Sequence, residues 1–474
     1  MDSHGQGNIL ALDNIEKDGA EKDGGKRDAS SQAVGLVSLG CPKALVDSEQ
    51  IATELLDLGY EVAVGDESDI VVVNTCGFID AAKQESRDTI AGLLDEGKRV
   101  VVTGCMGNDP DLKTEFPNLE FLSGPADVAP VVKAVQHYLP GAQKSDAVKP
   151  HVDYFTGELR ARLTDDHFAY LKISEGCNHK CSFCIIPDMR GKLRSRTLDD
   201  VIAEGEALAE DGVQEISLIA QDLSAYGADL RYPQIDIDGE SYTTNLMSIC
   251  RILGAKVPWL RLHYVYPYPN VDQLIPLMNE GLVLPYLDIP LQHASHKVLK
   301  AMRRPAAAEK SLERIQRWRE ICPEIAIRST FIVGFPGETD EDIGHLLDFL
   351  EEAQLDRVGC FTYSAVEGAR ANTLPDPVEE AEKLDRQERV YEIQAEISAQ
   401  RLARHVGSTL RVMIDSNDEG LVGRSMFDAP EIDGSVFIAD GDAKPGDFVW
   451  VDVESSDDHD LYGRLVGEEI RLSE

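Results

Sequence analysis

Three cysteines stand within eight residues in EGCNHKCSFCIIP, Glu175 to Pro187: Cys177, Cys181 and Cys184, with three residues and then two between them. Thiols this close on one loop are ligands, and the fold must present them together. The run before them, FAYLKIS (168–174), is apolar enough for a buried strand. Five more such runs follow: EISLIAQD (215–222), WLRLHYV (259–265), YLDIPLQ (286–292), AIRSTFIVGF (326–335) and RVGCFTYS (357–364). Helical stretches separate them, so six βα units in order predict an open or partial barrel. Active sites of such folds gather at the carboxyl ends of the strands, which is where Cys177 falls. Structural zinc asks for four ligands, and His179 is the candidate for the fourth. It lies between two ligand cysteines, however, whereas zinc motifs usually place the second pair farther along. An iron–sulfur cluster fits the spacing better, because a four-iron cube held by three thiolates leaves one iron open to a substrate or cofactor.

A second set of cysteines is spread over the first quarter of the chain. VGLVSL (34–39), DIVVVN (69–74) and RVVVTG (99–104) read as buried parallel strands, with helices in SEQIATELLDLG and QESRDTIAGLLDEG between them. These make a small doubly wound α/β domain over residues 33–142. Cys41, Cys76 and Cys105 each follow one of these strands, as G-C, T-C and G-C. Ligands of open α/β sheets bind in the crevice outside the carboxyl strand ends. Three thiols distant in sequence should therefore converge into a second three-thiolate set; the alternative is three cysteines packed as small hydrophobes. Cys250, Cys322 and Cys360 lack ligand-like spacing and read as structural.

The rest of the chain sorts by texture. Residues 1–32 are rich in Gly, Asp, Lys and Ser and read as a disordered lead. A polar linker covers 143–166, and the βα domain runs over 167–406. It ends in a long charged helix, PVEEAEKLDRQERVYEIQAEISAQRLARHVG. Residues 407–474 hold five short runs between Gly and Asp turns, which predict a small antiparallel β-barrel. An odd count of nine cysteines argues against a disulfide framework and for a reducing, cytoplasmic setting. The N-terminus shows no secretory signal, and no apolar stretch is long enough for a membrane span.

C-x3-C-x2-C after the first strand of a partial barrel resembles the radical S-adenosylmethionine (SAM) superfamily. The resemblance implies that the open iron chelates SAM and that one electron cleaves it to a 5′-deoxyadenosyl radical. Two three-cysteine sets and a terminal barrel together resemble the methylthiotransferase family, from residue 34 onward. That implies two 4Fe-4S clusters: a radical-generating one on Cys177, Cys181 and Cys184, and an auxiliary sulfur-carrying one on Cys41, Cys76 and Cys105. The open irons of the two clusters would be the catalytic centres. The terminal barrel would be of TRAM type, and a flavodoxin or ferredoxin would supply electrons. Other strand ends should line the cofactor cavity: Gln221 and Asp222, Gln292 and His293, then Gly334, Pro336 and Gly337. His293 leads these, because a Gln-His pair ending an apolar strand needs partners. Arg190, Arg194 and Arg196, in DMRGKLRSR, would neutralise an acidic cluster or contact substrate.

Family members divide by substrate, some acting on an adenosine of tRNA and others on an aspartate of small-subunit ribosomal protein S-twelve. The chain carries 85 Asp and Glu against 46 Lys and Arg, a net of −39. Residues 407–474 hold 17 acids and 5 bases. A barrel of that sign repels phosphates and suits a basic ribosomal protein, although general surface acidity for solubility is a second explanation. SLGCPKALVDSE, QDLSAYG, LHYVYPYP and GRSMFDAPEIDG also resemble the ribosomal-protein branch; Ala44 departs from it, where Asn is more usual. The expectation is methylthiolation of the aspartate β-carbon. The alternatives are tRNA adenosine methylthiolation and a non-catalytic iron–sulfur adaptor of the ribosome.

Overall fold

A computed structural model describes residues 33–65, 68–109, 111–140, 159–304 and 310–466. The lead over 1–32 and residues 143–158 of the expected linker lie outside them. The chain divides into two compact units. The first holds the described residues up to Asp165 together with Glu175–Asn178 and Ile185–Arg194; the second holds the remainder.

The first unit is a five-stranded parallel sheet. Its strands are β1 (Ala33–Ser38), β2 (Glu61–Val64), β3 (Ile70–Thr75), β4 (Arg99–Gly104) and β5 (Phe121–Leu122). Their order is β2-β1-β3-β4-β5. All six residues of β3, IVVVNT, are buried, as befits a central parallel strand covered on both faces. Val71, Val73, Val100 and Val102 pack on Ile90 and Leu93 of the helix Asp80–Asp95. The sheet reverses direction between β1 and β3, which makes their carboxyl ends the topological switch point. The two strands not anticipated from sequence, β2 and β5, are short and lie at the sheet edges.

The second unit begins with six parallel strands: β6 (Phe168–Lys172), β7 (Glu215–Ile219), β8 (Trp259–Leu262), β9 (Tyr286–Asp288), β10 (Ala326–Val333) and β11 (Arg357–Thr362). They pair in chain order within two triplets, β6–β7–β8 and β9–β10–β11. Backbone hydrogen bonds bridge the triplets, Leu284 N–H to the Leu260 carbonyl at 2.8 Å and Val265 N–H to the Asp288 carbonyl at 2.9 Å, and Tyr264 N–H adds a bond to the Asp288 carboxylate at 2.9 Å. No ladder among the described residues joins β11 back to β6, so this is a partial barrel. β9 stops at three residues because Pro290 lacks a ladder donor. A hairpin absent from the sequence reading joins Gln234–Ile237 to Glu240–Thr243 through Asp238-Gly239, both at positive φ.

The terminal strands β12 (Thr409–Ser416), β13 (Leu421–Ser425), β14 (Val436–Ile438), β15 (Phe448–Ser456) and β16 (Leu461–Leu465) close a five-stranded barrel. Its ladders are antiparallel except β14 with β16, which is parallel. Alternate residues such as Val412, Ile414, Val449, Val451 and Val453 fill its core.

This barrel packs on the amino ends of the half-barrel strands, the end opposite the carboxyl rim. Trp259, Tyr286 and Ala326, the first residues of β8, β9 and β10, share a core with Met413, Phe427 and Ala429. Around that core runs an ion-pair seam. Glu215, wholly buried, accepts from Arg261 at 2.6 Å and Arg424 at 2.7 Å. Arg424 reaches Asp415, which also meets His167 at 2.9 Å. The segment GRSMFDAPEIDG supplies Asp428 to Arg357 at 2.6 Å, Glu431 to the Tyr170 hydroxyl at 3.1 Å, and Asp433 to the Tyr286 hydroxyl at 2.6 Å. Three acids counted toward the charge of the tail, Asp415, Asp428 and Asp433, are therefore turned inward, and with the exposed Glu431 they hold the barrel in place.

Candidate metal centres

Cys41, Cys76 and Cys105 stand directly after β1, β3 and β4. A glycine precedes two of them, and the geometry requires it. Gly40 has φ +102°, and a Cβ there would lie 2.9 Å from the Cys76 Cβ and 3.2 Å from its Sγ. Gly104 has φ +96°, and its Cβ would meet the Asn74 side chain and the Thr75 backbone at 2.4–2.6 Å. The three strand ends thus approach at distances only glycine allows. A buried polar network fixes their register. Asn74 Nδ2 donates to the Ala44 carbonyl at 2.7 Å and to Ser48 Oγ at 2.9 Å. Thr75 Oγ1 donates to the Thr103 carbonyl at 2.6 Å, and Ser86 Oγ to the Cys76 carbonyl at 2.9 Å. Ala44 contributes its carbonyl, so the departure from the family's usual Asn leaves this contact intact.

The three thiols interact electrostatically with one another. Burial pushes Cys76 up to about 11, with the charges of Cys41 and Cys105 adding to it. Burial also raises Cys105, against the pull of Arg190. Burial opposes the thiolate at Cys41 as well, but Lys43 and Arg190 outweigh it and the thiol falls below its ordinary value. Cys41 is the N-cap of the helix Pro42–Asp57, where the helix dipole also favours a thiolate.

Arg190 lies against this set. Its Nε donates to Cys105 Sγ at 3.4 Å, and its Nη1 to Asp47 at 3.2 Å and both Glu175 oxygens at 3.1 Å. The pair of carboxylates holds its guanidinium charge firmly, well above the usual Arg range against the burial cost. Nη2 is buried and finds no acceptor among the protein atoms. Three thiols, no competing imidazole, and an orphaned cationic donor suit an anionic group with sulfur ligation. Among the described residues, no three His, Cys, Asp or Glu side chains are grouped for a single metal ion.

The second motif is local. Cys177 N–H donates to the Gly191 carbonyl at 3.1 Å, and Cys184 N–H to the Cys181 carbonyl at 3.3 Å. His179 is engaged elsewhere than as a fourth ligand: Nε2 is 2.7 Å from Asp222 and Nδ1 3.5 Å from the Tyr268 hydroxyl. Its ring stacks on Tyr266 at 3.9 Å. On Tyr266 lies Arg304, 4.1 Å from the ring centroid, and its Nη1 reaches Cys181 Sγ at 3.7 Å. Neither Tyr266 nor Arg304 was expected from sequence; LHYVYPYP marked the tyrosine only as texture.

The remaining rim residues fall into two groups. Asp222 and His293 bond to protein. The Asp222 carboxylate holds Ser224 as well as His179. His293 Nδ1 accepts from the Ser295 N–H at 2.9 Å, and Nε2 lies 3.3 Å from Glu338. Glu338 in turn accepts the N–H groups of Gly334 and Phe335 and pairs with Arg386 at 2.9 Å, shaping the VGFPGE turn. Gln221 is partly buried; Gly337, at φ +81°, has open space beside its Cα, and Gln292 is held at φ +74°. Such strain at a strand end is a mark of functional sites. Arg194 is exposed, while Arg196 is locked to Asp200 and Glu204, both at 2.6 Å. Cys250, Cys322 and Cys360 are buried, and burial pushes Cys250 and Cys360 up to about 12. The six cysteines of the two motifs are only partly buried, and none of the nine forms a disulfide.

Family models match three stretches: uncharacterized protein family UPF0004 over 33–124, the radical SAM superfamily over 171–350, and the TRAM domain over 406–466. A ribosomal protein uS12 methylthiotransferase RimO of Alkalilimnicola ehrlichii is 55% identical over 446 residues, covering 92% of this chain and 99% of that one. Its counterpart in Marinobacter nauticus is 56% identical over 440 residues, 92% and 96% of the two chains. The one in Chromobacterium violaceum is 55% identical over 437 residues, 91% and 98%. The chain belongs to the RimO family of methylthiotransferases. As a RimO-family, radical SAM chain it uses SAM and a 4Fe-4S cluster. No described helix is long and apolar enough to cross a membrane.

Proposed function

We propose that this chain replaces a β-hydrogen of an aspartate in small-subunit ribosomal protein uS12 by a methylthio group, giving 3-methylthioaspartate. The observation that carries the proposal is a pair of cysteine triads within a chain more than half identical to uS12 methylthiotransferases over nine-tenths of its length. In this reading Cys177, Cys181 and Cys184 hold the cluster that binds SAM, and Cys41, Cys76 and Cys105 hold an auxiliary one. When bound, these groups supply the carbon radical and the sulfur; a side-chain base is too weak to activate a β-C–H bond. The chain's own residues bind and orient. Gln221, Gln292, Gly334 and Gly337 line the SAM side of the rim. Asp222 holds His179, and His293 with Glu338 holds the glycine turn. The functional divisions are 33–142 for the auxiliary cluster, 167–406 for radical generation and 407–474 for docking. Electrons come from a flavodoxin or ferredoxin in the cytoplasm.

The barrel supports a protein substrate. Asp418, Glu419, Asp440, Asp442, Asp452, Glu454, Asp457 and Asp458 are exposed on it, a field that attracts Lys and Arg and repels phosphates. Because the barrel sits at the amino ends of the half-barrel strands, it grips a part of the substrate remote from the reacting aspartate. Mass spectrometry of ribosomal proteins from cells with and without this gene tests the proposal. One uS12 aspartate peptide should gain a net CH2S. A gain on tRNA adenosine instead, or none, overturns it.

A further inference from the structure

Arg190 is a buried cation that hydrogen-bonds one of the N-terminal thiols, and its contacts leave one donor unspent. Nε is committed to Cys105 Sγ and Nη1 to Asp47 and Glu175. Nη2 is buried without an acceptor, and the side chain is 2% exposed. A charged donor left so is costly, so the site is shaped for an acceptor that the polypeptide does not supply. The surroundings define that acceptor. Asp47 and Glu175 are already engaged through Nη1, and after those two carboxylates the thiols of Cys105 and Cys41 act most strongly on the guanidinium. The missing partner is an anionic sulfur.

We propose that Arg190 is a positioning residue for the group held by Cys41, Cys76 and Cys105, its Nη2 donating to an inorganic sulfur of that group while Nε donates to Cys105. The inference rests on the two-cluster reading above. The sulfur is either a cluster sulfide or a sulfur on the open iron. Hydrogen bonds to the sulfurs and an adjacent positive charge both favour the more reduced, more negative state, so Arg190 raises the reduction potential of this cluster. The role needs a planar fork clamped by two carboxylates; a lysine keeps the charge but gathers its three donors on one nitrogen at the end of a flexible stem, so it cannot span Cys105, the carboxylates and a further sulfur at once.

The test uses the full chain with Cys177, Cys181 and Cys184 changed to Ala, so that a single cluster loads, and compares Arg190 with R190K and R190Q. Iron content, reduction potential and the electron paramagnetic resonance line shape are read with and without added sodium hydrosulfide. The expected result is a more negative potential in R190Q, an intermediate one in R190K, and an altered line shape in both. A shift in both arms identifies a cluster sulfide as the acceptor, and a shift only with hydrosulfide identifies sulfur on the open iron. Parental potential and line shape in iron-replete R190K and R190Q overturn the role. Should R190Q fail to take up iron, R190K decides alone, and an unchanged potential there overturns it. A parental chain with no four-iron signal instead overturns the two-cluster reading and this inference with it.

Discussion

The two cysteine triads are built in opposite ways. Cys177, Cys181 and Cys184 fall on one loop, and chain connectivity alone keeps them close. Cys41, Cys76 and Cys105 span 65 residues and are brought together only because β1, β3 and β4 lie side by side in one parallel sheet. A local set survives as long as its loop does. An assembled set depends on register, on two glycines at strand ends, and on the Asn74–Ala44–Ser48 network beneath it. Each triad also meets one arginine, Arg190 at Cys105 and Arg304 at Cys181, but the first is clamped by two buried carboxylates and the second is stacked on an aromatic ring.

The largest effect should come from removing each triad whole. The intact chain, reconstituted without oxygen, should hold about eight irons, two four-iron clusters. Changing Cys41, Cys76 and Cys105 to Ala should leave about four and abolish methylthio transfer, while reductant and SAM still yield 5′-deoxyadenosine. Changing Cys177, Cys181 and Cys184 should abolish both. If both triple variants still cleave SAM, the division of labour between the triads is wrong.

Register is the next place to break the comparison. Gly104→Val puts a branched side chain at positive φ against the Thr75 backbone. The expected loss is roughly 3 kcal/mol or more from strain and displaced strand ends, with iron lost from the assembled triad first. Gly191→Ala, beside Cys177, also sits at positive φ but has open space around it. Backbone strain alone should cost about 1–3 kcal/mol, with no displaced strand end, and iron content should be unchanged. Calorimetry and iron analysis on the two variants check the contrast; equal iron loss would erase it.

Acid should loosen the half-barrel in two windows. Burial depresses His263 to about 4, the nearby Asp288 opposing. Its unfolded form takes up a proton near 6.5, so stability falls as pH drops from about 6.5 towards 4. Burial opposes ionisation of Glu215, yet Arg261 and Arg424 hold it at about 2; that contribution is present above about 4.5 and is lost on the way to 2. Each window is worth about 3 kcal/mol. Melting temperature against pH should show both steps, and His263→Gln should flatten the upper one. A pH profile unchanged in that variant would contradict the assignment.

Much of this was readable because it is periodic or local. The apolar runs of β3 and β4, the six βα units and the G-C junctions announce themselves, since buried parallel strands are continuous in hydrophobicity and a strand end at positive φ needs glycine. β2 and β5 were missed because short edge strands carry little pattern. The hairpin over 234–243 was overlooked although its Asp-Gly turn was a usable signal. Long-range pairing left no such trace. Arg190, Arg194 and Arg196 look alike in DMRGKLRSR, yet one is buried at thiols, one is exposed and one is locked to a helix. Likewise Asp428 and Asp433 count the same as Asp418 in a charge sum; burial against Arg357 and Tyr286 separates them. Arg304 has no signal at all, because its partners come from distant loops.

The smallest expected effect sharpens the arginine contrast. Arg304 reaches Cys181 Sγ at 3.7 Å, longer than the 3.4 Å of Arg190 to Cys105. Its guanidinium is held by Tyr266 and by the Pro290 carbonyl rather than by carboxylates. Arg304→Lys keeps the charge and trades a buried flat stacking face, worth about 2 kcal/mol when desolvated, for a weaker ammonium–ring contact, so the net loss is a fraction of that. The weak N–H···S contact should contribute little to the cluster below it. The variant should therefore melt slightly earlier while its radical-generating cluster keeps its resonance line shape, whereas R190K should shift the auxiliary cluster with a smaller change in melting. Equal spectroscopic shifts in the two variants would mean that proximity of an arginine, and not the carboxylate clamp, sets its influence on a cluster.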